Sequence, residues 1–139
     1  MSETLKRPQA KGGCLCSAVT YEVFGPMRPV INCHCGQCRR THGHFAGYSN
    51  VRRDDLVMTE ERGLKWYESS DLARRGFCGE CGGSLFYDRR AGDTISIAAG
   101  TLDAPSGLET VAHIFMADKG DYYEIDDGLK TYPGTQIKA

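Results

Sequence analysis

The stretch Cys78-Gly-Glu-Cys81-Gly-Gly83 places two cysteines on a tight turn that is rich in glycine. Glycine allows the sharp turn in which backbone N–H groups can face both sulfurs, an arrangement that is typical of zinc-binding turns. A closed structural zinc site takes four ligands. The rest of the chain therefore has to supply two more.

The doublet Cys14-Leu-Cys16 can supply these ligands from the end of an extended segment. The two doublets lie far apart in the sequence, so a zinc ion that joins them closes a long loop and stabilises a small domain. The sequence thus predicts a structural zinc site. Its ligands are Cys14, Cys16, Cys78 and Cys81.

The remaining cysteines form the cluster Cys33-His-Cys35-Gly-Gln-Cys38, which is close enough to fill three corners of a tetrahedron from one loop. Catalytic zinc commonly has three protein ligands and an open position, so we expect a second, labile or catalytic zinc ion here. Its ligands are Cys33, Cys35 and Cys38, which are also the predicted catalytic residues.

Two alternatives to this scheme stay open. The middle cluster can instead be a second structural site that is closed by a histidine, with His34, His42 and His44 as candidates. A different partition joins Cys33 and Cys35 to the last doublet, but it leaves the first doublet without partners.

Length, charge and cysteine usage limit the class of protein. The 139 residues suit one domain, and a net charge of -1 gives no basic surface for nucleic acid. Neither a membrane-spanning run nor a secretory signal is present, and seven cysteines in close clusters disfavour disulfides. We therefore expect a cytoplasmic protein that binds neither nucleic acid nor membranes, with a disordered lead over 1–11, one domain over 12–132 and a tail over 133–139.

Alternating apolar residues predict a mainly β fold with many turns and no long amphipathic helix. One helical turn is expected over 38–42 before Gly43. The expected strands or extended segments cover 17–24, 30–32, 45–51, 56–59, 64–68, 73–78, 84–88, 94–98 and 111–116.

Four motifs together resemble the glutathione-dependent formaldehyde-activating enzyme family, which includes S-(hydroxymethyl)glutathione synthase and centromere protein V. The motifs are Gly12-Gly-Cys-Leu-Cys16, Cys33-His-Cys-Gly-Gln-Cys-Arg39, Phe77-Cys-Gly-Glu-Cys-Gly-Gly83 and Ala99-Gly-Thr-Leu-Asp103. The segments His113-Ile-Phe115 and Ile125-Asp-Asp-Gly-Leu129 are also similar to that family, whereas Asp121-Tyr-Tyr123 replaces a segment that usually carries tryptophan.

The resemblance implies a β-tent fold of packed antiparallel sheets in a single zinc-stapled domain. It also implies two zinc ions per chain, a structural one on the outer doublets and a more labile one on the middle cluster. The implied activity is that of a carbon–sulfur lyase or synthase acting on the adduct of a small thiol, such as glutathione, and a small aldehyde, such as formaldehyde.

Thiol chemistry agrees with the residues themselves. Three thiolates leave a zinc centre electron-rich, which suits thiolate exchange better than water activation. Arg39 and Arg40 follow the middle cluster directly and are the predicted substrate-binding residues, because arginine binds carboxylates such as those of glutathione. The alternative functions are a non-catalytic zinc module for protein or chromatin binding, and a redox- or zinc-responsive protein.

Overall fold

The structure is a computed structural model that describes residues 7–135. These residues form short strands, one α-helix and a few 3-10 turns. The elements are β1 (Ala10–Gly13), β2 (Thr20–Val23), β3 (Val30–Cys33), α1 (Gly36–His42), β4 (Ala46–Arg52), β5 (Leu56–Glu60), β6 (Leu64–Glu68), β7 (Arg74–Cys78), β8 (Ser84–Asp88), β9 (Thr94–Ala98), β10 (Thr110–Ile114) and β11 (Lys130–Thr131).

The chain divides into two compact units, of which the first comprises residues 7–28 and 49–107. Its smaller sheet has the antiparallel order β1-β2-β5. In its larger sheet the end of β4 is followed by β9, β8, β7 and β6. The β6–β7, β7–β8 and β8–β9 pairs are antiparallel.

Side chains from both sheets share the core of this first unit. Burial alternates along β2, where Tyr21 and Val23 point inward and pack in one cluster with Leu85, Phe86 and Ile97. Each such fully buried side chain contributes about 1.5–3 kcal/mol through removal of apolar surface from water.

The second unit comprises residues 29–48 and 108–135. Its strand order is β11-β10-β3 followed by the beginning of β4. Strand β3 ends at Cys33, and α1 begins three residues later, so a sheet edge and a helix start hold the middle cysteine cluster.

The predicted mainly β fold of packed antiparallel sheets is confirmed, with one local correction. Strand β10 pairs in parallel with both β3 and β11. The chain leaves the second unit after residue 48 and returns at 108, and such a long connection, unlike a hairpin, permits parallel neighbours. The expected bounds 64–68, 84–88 and 94–98 are those of β6, β8 and β9.

The predicted boundaries need a second correction. Ala10 and Lys11, assigned to a disordered lead, pair in β1 with Val23 and Glu22. The rest of that predicted lead up to residue 6, and the end of the predicted tail from residue 136, lie outside the described residues. The single domain over 12–132 stays a prediction.

Within residues 7–135, no helix combines the length and the apolar character that a membrane span requires.

Candidate metal centres

The two outer cysteine doublets meet in the first unit. Their four sulfurs lie within 4.8 Å of one another, with Cys14 Sγ 3.8 Å from Cys16 Sγ and Cys16 Sγ 3.7 Å from Cys78 Sγ. A tetrahedral zinc ion with Zn–S bonds of about 2.3 Å would hold its sulfurs about 3.8 Å apart. The spacing of these sulfurs therefore fits one four-coordinate metal ion.

The turn that carries Cys78 and Cys81 has the geometry expected of a metal-binding knuckle. Strand β7 ends at Cys78, and Gly82 then adopts a positive φ of 81°, at which a side chain would be strained. The backbone N–H groups of Glu80 and Cys81 donate to Cys78 Sγ at 3.3 and 3.4 Å. Such donors stabilise a thiolate.

The first doublet also receives a backbone hydrogen bond on one of its sulfurs. The backbone N–H of Val19 donates to Cys14 Sγ at 3.3 Å, and Ser17 turns the chain back with a φ of 69°. Backbone hydrogen bonds from Gly83 and Cys16 lower the pKa of the Cys81 thiol to about 6. This cluster therefore favours at least one thiolate near neutral pH.

The three middle cysteines converge in the second unit. The sulfurs of Cys33, Cys35 and Cys38 lie within 4.8 Å of one another. Cys35 is the N-cap of α1, and its sulfur accepts the backbone N–H of Cys38 at 3.2 Å. Hydrogen bonds from Cys33 and Cys38 lower the pKa of Cys35, whereas hydrogen bonds with Cys35 and Cys38 raise that of Cys33. Cys35 is thus the preferred thiolate.

The structure does not support a histidine as the fourth ligand of this cluster. Among the described residues, no histidine nitrogen or carboxylate oxygen lies within 4.8 Å of all three sulfurs. The three candidates have other partners instead: His34 contacts Tyr123 and His113, His42 contacts Tyr48, and His44 contacts Tyr122. The rival partition is also not formed, because the last doublet lies with Cys14 and Cys16.

The two predicted substrate-binding arginines differ in their surroundings. Arg40 is exposed, whereas Arg39 is half-buried. Arg39 Nε is buried and finds no hydrogen-bond partner among residues 7–135. One terminal nitrogen of Arg39 lies 4.0 Å from the position that a Cβ would take at Gly36, the first residue of α1. A partnerless guanidinium nitrogen beside the middle cluster suits an anionic ligand.

A chain of polar side chains beside this cluster was not predicted from the sequence. It runs from Asp127 through His113 and His34 to Tyr123. Burial, and next the neighbouring His113, lower the pKa of His34 to about 4, so this imidazole is neutral near pH 7. The sequence does place His34, His113 and Asp127 in segments that resemble the family, but nothing in it shows that they touch.

One group of four and one group of three cysteine sulfurs, each at metal-ligand spacing on a mainly β scaffold, could each hold a metal ion. The sequence model of the glutathione-dependent formaldehyde-activating enzyme family matches residues 9–118. The chain belongs to this family, which confirms the resemblance found in the motifs.

Three individual proteins are also similar to this chain. An uncharacterized lyase of Schizosaccharomyces pombe is 28% identical over 119 residues, which cover 84% of this chain and 85% of the relative. A Halomonas elongata protein, provisionally named a glutathione-dependent formaldehyde-activating enzyme, is 29% identical over 127 residues. The matched region covers 84% of this chain and 80% of the relative. A crystal structure of a Rhodobacter sphaeroides protein has 28% identity and a TM-score of 0.56, with 72% of this chain and 97% of that protein covered.

Proposed function

We propose that this protein is a zinc-dependent carbon–sulfur lyase or synthase that acts on thiol–aldehyde adducts such as S-(hydroxymethyl)glutathione. The observation that carries the proposal is the convergence of Cys33, Cys35 and Cys38, with no fourth histidine, cysteine or carboxylate in that group among residues 7–135. Three protein ligands leave a coordination position open. Membership of the family and the names of two relatives support the same chemistry.

Zinc is the metal that these donors favour, because sulfur-only groups select soft or borderline ions. Cys14, Cys16, Cys78 and Cys81 would hold one ion, and the middle cluster would hold the other. When bound, zinc would keep cysteine sulfur deprotonated at neutral pH and offer a position to the sulfur of a small thiol. The lowered pKa of Cys35 favours the same thiolate form.

The two arginines that follow the middle cluster indicate which thiols the protein would prefer. Arg39 and Arg40 would bind the carboxylates of an anionic thiol such as glutathione, with Arg39 Nε as a donor that has no partner within residues 7–135. An uncharged thiol lacks these contacts. We therefore infer that anionic thiols are preferred over uncharged thiols of similar size.

Metal content and thiol exchange test this function together. Protein purified under reducing conditions is expected to hold about two zinc ions per chain, and cobalt in their place gives a visible sulfur-to-metal absorption. Glutathione should shift that absorption at one site, and the protein should accelerate adduct interconversion in NMR exchange spectra. Cys35→Ser is the matched control, since serine keeps a helix N-cap but removes the sulfur.

Replacing both Arg39 and Arg40 with alanine should weaken the response to glutathione more than the response to 2-mercaptoethanol. The proposal is contradicted if the protein holds about two zinc ions but accelerates no adduct exchange, and if no thiol changes the spectrum of its cobalt form. The middle cluster would then be a closed or zinc-storing site.

A further inference from the structure

Three hydrogen bonds connect four side chains in the second unit. Asp127 Oδ2 lies 2.8 Å from His113 Nε2, and His113 Nδ1 lies 2.9 Å from His34 Nε2. His34 Nδ1 in turn lies 2.5 Å from the Tyr123 hydroxyl. His34 and His113 are 0% and 1% exposed, whereas the Asp127 side chain is 44% exposed. The series therefore leads from solvent to a phenol through two buried rings.

With one N–H on each imidazole, the carboxylate fixes the direction of every hydrogen bond in the series. An ionised Asp127 can only accept, so His113 donates from Nε2. A neutral imidazole carries one N–H, so His113 Nδ1 accepts from His34 Nε2, and His34 Nδ1 accepts from the hydroxyl of Tyr123. The Tyr123 oxygen, which also receives a backbone hydrogen bond from Gly120, consequently keeps one lone pair for a further donor.

This oxygen lies beside the segment that holds the middle cysteines. Its partner His34 is the residue between Cys33 and Cys35. Burial raises the pKa of Tyr123, and a backbone hydrogen bond from Gly120 and, more weakly, the positive charge of Arg39 oppose this effect. The phenol is thus linked to the middle cluster through His34, and Arg39 belongs to the helix that Cys35 caps.

Packing holds the phenol in place. The ring of Phe45 lies 4.7 Å from that of His34 and 6.2 Å from that of Tyr123. Lys119 Nζ donates to the Tyr123 carbonyl at 2.5 Å. The adjacent Tyr122 is 59% exposed and contacts only His44 among the histidines, so it is a matched control.

We propose that the Tyr123 oxygen accepts the hydroxyl group of the thiol–aldehyde adduct and takes its proton, with His34, His113 and Asp127 as positioning residues that keep this oxygen an acceptor. The inference rests on the proposed function and adds the group that recognises the adduct hydroxyl. Neither the family assignment nor the cysteine clusters supply such a group.

In the cleavage direction, the adduct O–H proton moves to the Tyr123 oxygen while the phenol proton moves to His34 Nδ1. The His34 Nε2 proton passes to His113 Nδ1, and the His113 Nε2 proton passes to Asp127, which releases it to solvent. The O–H electron pair becomes the second bond of the aldehyde carbonyl, and the C–S pair leaves with the thiolate. The same transfers in reverse protonate the adduct oxygen during synthesis.

The first test removes the hydroxyl and keeps the ring. Tyr123→Phe should slow the catalysed interconversion of formaldehyde and glutathione with their adduct about 100-fold or more, a loss typical of a missing acid–base group, with unchanged zinc content. Tyr122→Phe should stay within about twofold of the unmodified protein. A Tyr123→Phe protein that keeps its rate within twofold overturns the inference while the proposed function stands. No catalysis by the unmodified protein overturns both.

The second test reads the hydrogen-bond direction without activity, and its decisive measurement uses the unmodified protein. Long-range ¹⁵N–¹H NMR of the zinc-loaded protein should show His34 and His113 both protonated at Nε2 and bare at Nδ1. Asp127→Asn should disturb this pattern at both rings, since an amide can donate as well as accept. A proton on His34 Nδ1 in the unmodified protein overturns the inference, because Tyr123 would then be the acceptor of that bond.

Discussion

Asp88 is a single residue whose charge holds several parts of the first unit. Its carboxylate is 2% exposed and accepts from Arg53 at 2.9 Å, Arg74 at 3.1 Å and the backbone N–H of Arg90 at 2.7 Å. Replacing this carboxylate with an amide removes the one buried negative charge that faces the guanidiniums of Arg53 and Arg74. We expect Asp88→Asn to lower the free energy of unfolding by on the order of 3 kcal/mol in urea titrations.

Asp93 provides the matched control. It is 79% exposed and lies 3.8 Å from Arg52, so Asp93→Asn should change the free energy of unfolding by less than about 0.5 kcal/mol. Equal effects of the two substitutions would show that burial of Asp88 adds nothing to the ion pair.

The pH dependence of the Asp88 effect has a definite sign. Burial raises the pKa of Asp88, but Arg53, the Arg90 N–H and Arg74 together lower it below the ordinary value. A lowered folded pKa means stabilisation that is complete above the unfolded value of about 3.9 and is lost as the pH falls through the folded value. The stability difference between the unmodified protein and Asp88→Asn should therefore be constant between about pH 5 and 8 and shrink below about pH 4. Shrinkage toward alkaline pH would contradict this assignment.

At the residue scale, the convergence of the cysteine sulfurs was predictable from local spacing, whereas contacts between residues far apart in sequence were not. The cysteines of each doublet or triplet are close in sequence, so their proximity follows from spacing and turn chemistry. His34 and Tyr123 are 89 residues apart, and His34 and His113 are 79 apart. No local rule connects such residues, and only the pairing of β3 with β10 brings His113 beside the middle cluster.

Among the secondary-structure elements, α1 has the most direct connection to the middle cysteine cluster, because Cys35 is its N-cap and Cys38 lies in its first turn. It begins at the Cys35 cap and ends at Gly43, whose φ is 82° and whose N–H donates to Arg39 O at 2.8 Å. A Cβ at Gly43 would meet nothing within 4 Å, so the cost of Gly43→Ala is conformational alone. We expect a loss of about 1 kcal/mol in unfolding free energy and faster metal release from the middle cluster.

Gly36 gives the control for this prediction. It begins the helix without a positive φ, and an added Cβ would meet only Arg39 Nη2, at an ordinary distance of 4.0 Å. Gly36→Ala should therefore be neutral or slightly stabilising in thermal denaturation, with metal release unchanged. If both alanine variants behave alike, the left-handed cap of α1 is not what holds the middle cluster.

Strands with strong alternation were predictable, whereas strands that depend on partners were not. Strands β6, β8 and β9 carry aromatic and β-branched residues between clear turns, and their predicted bounds match. Strand β1 has the sequence Ala-Lys-Gly-Gly, which favours no strand by itself and becomes one through pairing with β2. The same holds for the short β11, which pairs with β10.

On the scale of the whole molecule, the two cysteine groups differ in the length of chain that a bound metal ion would close into a loop. Cys16 and Cys78 are 62 residues apart and both belong to the first unit, so an ion between them would close a long loop of the chain. Cys33, Cys35 and Cys38 span a single turn of chain, and closing so short a loop orders little. Structural metal contributes its binding free energy to folding only where it orders the chain.

Substitution of one sulfur in each group tests this difference. Cys14→Ser should unfold or aggregate the protein, because the first unit loses a ligand of its long-range link. Cys35→Ser should keep the circular dichroism spectrum and about one zinc ion, since serine also caps α1. If Cys35→Ser collapses and Cys14→Ser stays folded, the structural and labile roles have to be exchanged.

Stepwise metal removal extends this argument to the unmodified protein. A chromophoric chelator of graded strength should first take about one zinc ion, from the three-sulfur group, because three protein ligands hold a metal less tightly than four. Circular dichroism should change little in that step. The second ion should leave only together with unfolding, since the core strand β7 ends in Cys78 and the closed loop depends on it. Following zinc release and circular dichroism in one titration distinguishes the cases. Two ions that leave together, with a single unfolding step, would show that both groups are structural and would remove the open coordination position on which the proposed thiol chemistry depends.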